Sequence, residues 1–275
     1  MPPLSLKRAG ALNGSRVRAT ADGVVAADPT GSIEAFRALA TASAFSTNVS
    51  ADKIDAFDAH GTILDARAIR THHAGGDKAA GSMAFEAQQG SWLVRRQAFE
   101  ALWRDGSRFV YGAVNAGGMG AELPRFGHFC LVVSEPAAQA REIGVFPANS
   151  AERYCSPAGD VDRDLARREA TSWRDRGHLV TIERATNVPA TLRHAWPWLI
   201  CNPTRYVEAV VTPGPPLAAV DAVRVGEAYL ERLADLTLAG SEAALDSATE
   251  QRELNAIETV RRWRADHDIA IEAVG

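Results

Sequence analysis

The stretch Arg205-Tyr-Val-Glu-Ala-Val-Val-Thr212 constrains this chain most, because it sets a carboxylate inside a segment with the composition of a buried strand. The run is short, rich in β-branched and aromatic residues, and closed by Thr212-Pro-Gly-Pro-Pro216, the pattern of a strand ended by a turn. Side chains alternate across a strand, so Tyr206, Glu208 and Val210 share one face and Val207, Ala209 and Val211 the other. A strand apolar on both faces is usually covered on both, and a lone ionised glutamate is costly to desolvate. Glu208 then has three readings: a catalytic or ligand-orienting carboxylate at a cleft, an edge-strand side chain facing water, or one half of a structural pair with an arginine.

Two further strands are predicted at Arg108-Phe-Val-Tyr-Gly-Ala-Val-Asn115 and His128-Phe-Cys-Leu-Val-Val133, with others at His178-Leu-Val-Thr-Ile-Glu183 and Ala222-Val-Arg-Val225. Helices are expected from Ser32, from Trp92 to Trp103, over a charged segment at 160–176, and at 226–236 and 241–265. Residues 1–31 carry no sustained period and read as a flexible leader. The glycine-rich polar run 71–91 reads as a long loop. Strands in the middle and helices at both ends predict an α+β fold: a single domain over 32–275 with a C-terminal helical segment at 226–265.

At 275 residues, with 46% hydrophobic and 23% charged residues, the chain can build a sizeable core. A net charge of −4 gives no ground for general nucleic-acid binding. No apolar run reaches membrane-spanning length, and residues 1–20 lack the apolar centre of a secretory signal, so no membrane partner is expected. Cys130, Cys155 and Cys201 are odd in number and lack metal-like spacing, which favours a reducing compartment over a disulfide framework. The expected location is cytoplasmic, or outside the cell as an effector delivered by a signal not visible here.

The glycines between 112 and 127 match neither GxGxxG before a helix nor a GxxxxGK[ST] loop, since a strand follows them. They make a mobile hairpin connection or present Arg125, whose planar guanidinium suits a phosphate or carboxylate, between Pro124 and Gly127. His72 and His73, beside Arg70 and Gly75-Gly76, form the other polar cluster. Adjacent histidines in an extended chain point to opposite faces, and no HExxH or spaced third ligand accompanies them, so no metal is expected. His128 and Cys130 lie two apart on one strand and raise a cysteine hydrolase as an alternative, against a buried structural cysteine between Phe129 and Leu131.

Tyr111-Gly-Ala-Val-Asn115, Pro124-Arg-Phe-Gly127 and Tyr206-Val-Glu-Ala209, in that order, resemble the bacterial family called domain of unknown function 3626. The resemblance spans about residues 45–235. That family's layout in turn resembles the ADP-ribosyltransferase fold, a split β-sandwich that grips NAD and carries a glutamate on a late strand. The resemblance implies such a core with flanking helices, and an enzyme that cleaves the nicotinamide–ribose bond of NAD. ADP-ribose would pass to a protein, nucleic-acid or small-molecule acceptor or to water, as in a toxin or effector. It also implies roles: Glu208 catalytic, and Arg70, Thr71, His72, Gly75, Gly76, Asn115, Arg125, Gly127 and Tyr206 binding NAD. Two segments depart from the family pattern. Phe45-Ser-Thr-Asn-Val49 stands where the family has Phe-His-Pro, and Ile69-Arg-Thr-His-His-Ala-Gly-Gly76 replaces a segment containing glutamine and threonine before a glycine pair. The residue gripping NAD is therefore open among Arg70, Thr71 and His72, and a catalytically inactive binding module is a further alternative.

Overall fold

Strand-forming sequence in this chain gathers into one open, mixed, eight-stranded sheet among the described residues. The computed structural model describes residues 3–89, 92–120, 126–240 and 248–275. The strands are β1 (Ala44–Val49), β2 (Val110–Asn115), β3 (Phe129–Val133), β4 (Glu142–Phe146), β5 (Thr171–Ser172), β6 (Glu208–Thr212), β7 (Val220–Gly226) and β8 (Ala270–Val274). Their order is β5-β4-β6-β2-β1-β3-β7-β8, antiparallel throughout except for the parallel pair β7–β8.

The N-terminal helices are α1 (Leu6–Ala26), α2 (Ser32–Ala42), α3 (Ala51–His60), α4 (Ala66–His73), α5 (Lys78–Gln89) and α6 (Trp92–Glu100). Shorter helices follow within the sheet region: α7 (Glu135–Gln139), α8 (Ser150–Tyr154), α9 (Arg163–Glu169), α10 (Arg176–Arg184) and α11 (Trp196–Ile200). The chain ends with α12 (Glu227–Gly240), α13 (Ala248–His267) and strand β8.

At its centre the sheet parts. Strands β1 and β2 pair only through Ala44–Asn115, Phe45–Val114 and Ser46–Ala113. Beyond that, Thr47 to Val49 pair with β3 alone, while Val110 to Gly112 pair with β6 alone. One side-chain bond spans the parting, from Thr47 Oγ1 to the Tyr111 carbonyl at 2.8 Å. Strand β6 runs between β2 and β4, with Glu208 opposite Ala113 on one side and Phe146 on the other.

The expected alternation along β6 holds. Val207, Ala209 and Val211 join the larger apolar core, whereas Val210 packs into a second, aromatic cluster with Phe99, Trp103, Phe146 and Tyr154. Tyr206 lies just ahead of the strand and packs with the larger core instead.

Three expectations are corrected. Residues 6–26, expected as a flexible leader, form a helix whose stripe Leu6, Ala9, Gly10, Val17 and Ala21 is buried against the sheet edge. The glycine at position 10, which reads as a helix breaker, is needed for contact. A Cβ there would stand 2.5 Å from the Ser172 backbone nitrogen.

Residues 71–91, expected as a loop, contain the end of α4 and all of α5, whose Phe85 is buried. Residues 178–183, expected as a strand, belong to α10, where Leu179, Val180 and Thr181 pack on α2. A short apolar run does not separate the two states by periodicity, and packing decides.

Candidate functional site

The parting of β1 and β2 opens a cleft of about 350 Å³. Its floor is Ser46 to Val49 of β1 and Val110 to Ala113 of β2, and α3, α4 and α6 contribute Lys53, Arg70 and Arg96 to its wall. Tyr206, Glu208 and Asn149 close one side. Local sequence sets each element. Asp65 caps α4 by accepting hydrogen bonds from the Arg67 and Ala68 amides at 2.9 Å each. Asn149 caps α8 in the same way, accepting from the Ala151 and Glu152 amides at 3.1 and 3.2 Å.

Glu208 is 4% exposed, and its Oε1 accepts a hydrogen bond from the Ser150 amide at 3.1 Å. Among the described residues it forms no ion pair. Burial pushes its pKa up from the usual carboxylate range to about 7, opposed by its bonds to Ser150 and by the charge of Arg96. The group therefore lies poised between its two forms near neutrality.

Basic side chains line the same cleft. Arg96 lies over the Tyr111 ring at 4.2 Å, and Arg70 Nη2 is 3.8 Å from Asp52 Oδ2. Burial lowers the pKa of Lys53; the neighbouring Asp52 carboxylate opposes this, and the charges of Arg70 and Arg96 add to it. Trp92, Phe109, Tyr111 and Phe126 supply aromatic lining. The arrangement joins apolar walls, a cationic rim and one buried carboxylate, which suits an anionic ligand with a flat ring system.

Of the residues singled out in the sequence, Glu208, Arg70 and Tyr206 come together on this cleft. The others sit elsewhere. Thr71 faces α5, where Gly81 packs on its backbone. His72 turns toward Asp55. Gly75 and Gly76 close α4, their amides bonded to the His72 and Thr71 carbonyls at 3.0 and 2.9 Å.

Asn115 is buried, and its side chain is fully engaged. It donates to Ser46 Oγ and the Gly118 carbonyl, and accepts from the Gly117 and Gly118 amides. Gly127, at φ 114°, presses so closely on Val49 that a Cβ would lie 2.0 Å from its carbonyl carbon. Arg125 lies outside the described residues.

The cysteine alternative finds no assembled pair. Cys130 is fully buried, its pKa is pushed up to about 11 by burial, and it lies near Ser46 and Asn115. His128 instead stacks on Tyr229 at 4.0 Å between ring centroids. A reactive thiolate needs the opposite environment.

Lys53, Arg96 and Asn149 are site residues that sequence reasoning missed. Asn149-Ser-Ala-Glu152 is a helix-capping pattern that does mark where a buried amide would be aimed. Lys53 and Arg96 carry no such mark.

Comparison with protein-family models, with curated proteins and with solved structures finds no match to this chain.

Proposed function

We propose that the chain is an ADP-ribosyltransferase-like enzyme that binds NAD in the cleft and cleaves its nicotinamide–ribose bond. One observation carries the reading: a buried glutamate without an ion-pair partner among the described residues lines a cationic, aromatic cleft where the two central strands separate. The resemblance of the Tyr206-Val-Glu-Ala209 stretch to the late strand of the domain-of-unknown-function 3626 family, whose layout in turn resembles the ADP-ribosyltransferase fold, supports it.

In this mechanism departure of nicotinamide leaves positive charge on the ribose ring, as in glycoside cleavage. The ionised Glu208 stabilises that charge in a site of low dielectric and accepts a hydrogen bond from a ribose hydroxyl. Arg70, Arg96 and Lys53 take the pyrophosphate. Tyr206 and the aromatic lining hold the rings, and the Ser150 amide fixes the Glu208 carboxylate in place. The acceptor is a macromolecule, a small molecule or water.

The test is incubation with NAD labelled in its adenylate half, with and without cell lysate, following free nicotinamide and bound label. Nicotinamide release with label entering lysate components indicates transfer, and release alone indicates hydrolysis. Absence of release under both conditions counts against the proposal.

A further inference from the structure

Asp55 and the histidine pair at the end of α4 form a cluster that the cleft does not use. His72 Nε2 lies 3.6 Å from Asp55 Oδ2, and His73 Nε2 lies 3.5 Å from Asp55 Oδ1. The three ligand atoms all fall within 4.8 Å of one another. These separations are too long for good hydrogen bonds, which run to about 3.2 Å. They are close to the separation of neighbouring ligands around a tetrahedral ion, about 3.4 Å for bonds of about 2.1 Å.

An extended chain would set the two adjacent histidines on opposite faces. Residues 66–73 are instead helical, so consecutive histidines at its last turn diverge by about 100° rather than 180°, and both reach one carboxylate on α3. The two helices are firmly seated by buried Ile54, Phe57 and Ile69. Asp58 further ties α3 to α13 through Trp263 Nε1 at 2.7 Å. His60 lies edge-on to His72 at 5.3 Å between ring centroids and lines the same patch.

We propose that Asp55, His72 and His73 bind a divalent transition-metal ion of borderline softness, such as zinc, with water completing the coordination. Two imidazoles and one carboxylate are the donor set such ions take. The ion bridges α3 to α4, the helices that carry Lys53 and Arg70 into the cleft. This site stands on its own geometry and does not depend on the NAD reading.

The test uses untagged full-length protein stripped with chelator, titrated calorimetrically with zinc and spectroscopically with cobalt. The expected result is one equivalent bound, with affinity reduced at least about tenfold in Asp55→Asn and about a hundredfold in a His72→Ala, His73→Ala double variant. The exposed His194→Ala serves as the unaffected control. Far-UV circular dichroism on each sample ensures that the buried cysteines are not recruited by unfolding. Zinc at about a hundred times its Kd should also raise the Tm of the wild type by about 4 °C, and not that of the double variant. Binding by the folded double variant as tight as by the wild type, or no binding by the wild type, overturns the proposal.

Discussion

Glu208 and Glu100 are both buried carboxylates within the field of Arg96, and they are held in opposite ways. Glu100 sits at the end of α6 against two side-chain partners. Arg67 Nη1 lies 2.9 Å from its Oε2, an ion pair off the hydrogen-bonding angle, and the Tyr111 hydroxyl donates to its Oε1 at 3.3 Å. Glu208 has the Ser150 amide and a cleft. Burial raises the pKa of both, and at Glu100 it outweighs the pull of Arg67 and Arg96. Side-chain partners offset part of the burial cost at Glu100. A buried carboxylate left unmatched at a cleft is a cost to the fold, and such costs concentrate at functional sites.

The largest effect expected from that contrast is at Glu208. With a pKa of about 7 in the folded protein against 4.5 in an unperturbed carboxyl, the folded chain holds a proton that the unfolded chain has released between those values. Stability therefore falls as pH rises from about 4.5 to 7, and the penalty stays constant above. Glu208→Gln removes this penalty, so the variant should match or exceed the wild type by up to about 3 kcal/mol at pH 8, with no advantage at pH 4. Urea denaturation at several pH values measures it. A large loss of stability at pH 8 would identify Glu208 as a structural partner after all.

Glu100→Gln should give a smaller gain at pH 8 than Glu208→Gln, because Arg67 and Arg96 offset part of the burial cost at Glu100 and the substitution leaves Arg67 facing a neutral amide. A gain as large as that of Glu208→Gln would erase the distinction between the two carboxylates. Val207→Ala and Val211→Ala, both on the opposite face of the strand region and fully buried, each should cost about 1–3 kcal/mol. Shifts below about 0.5 kcal/mol would mean that β6 is not packed as described.

How much of this could be read from the sequence depends on which forces set each element. Strands β2, β3, β6 and β7 were legible because their β-branched and aromatic runs are bounded by turn residues, and Glu208 stood out because its type conflicts with its surroundings. Helix α1 was hidden because Gly10 looks like a breaker until the helix packs closely on β5. Residues 178–183 have strand composition, yet helix-on-helix burial decides their state. The cleft's cations were hidden for another reason. Arg96 and Lys53 are ordinary helix residues whose direction is fixed only when α6 and α3 dock over the parted strands. The Asp55, His72 and His73 cluster required knowing that α4 is a helix.

The central claim is that Glu208 is kept unpaired for chemistry, and nicotinamide release by three folded proteins tests it most directly. Wild type should turn over NAD with an acid limb near pH 7, since only the ionised carboxylate stabilises the ribosyl cation. Glu208→Gln should still bind NAD but lose about a hundredfold or more in turnover, roughly 3 kcal/mol of transition-state stabilisation. Glu100→Gln should stay within a few-fold of wild type. Full turnover by folded Glu208→Gln would contradict the account.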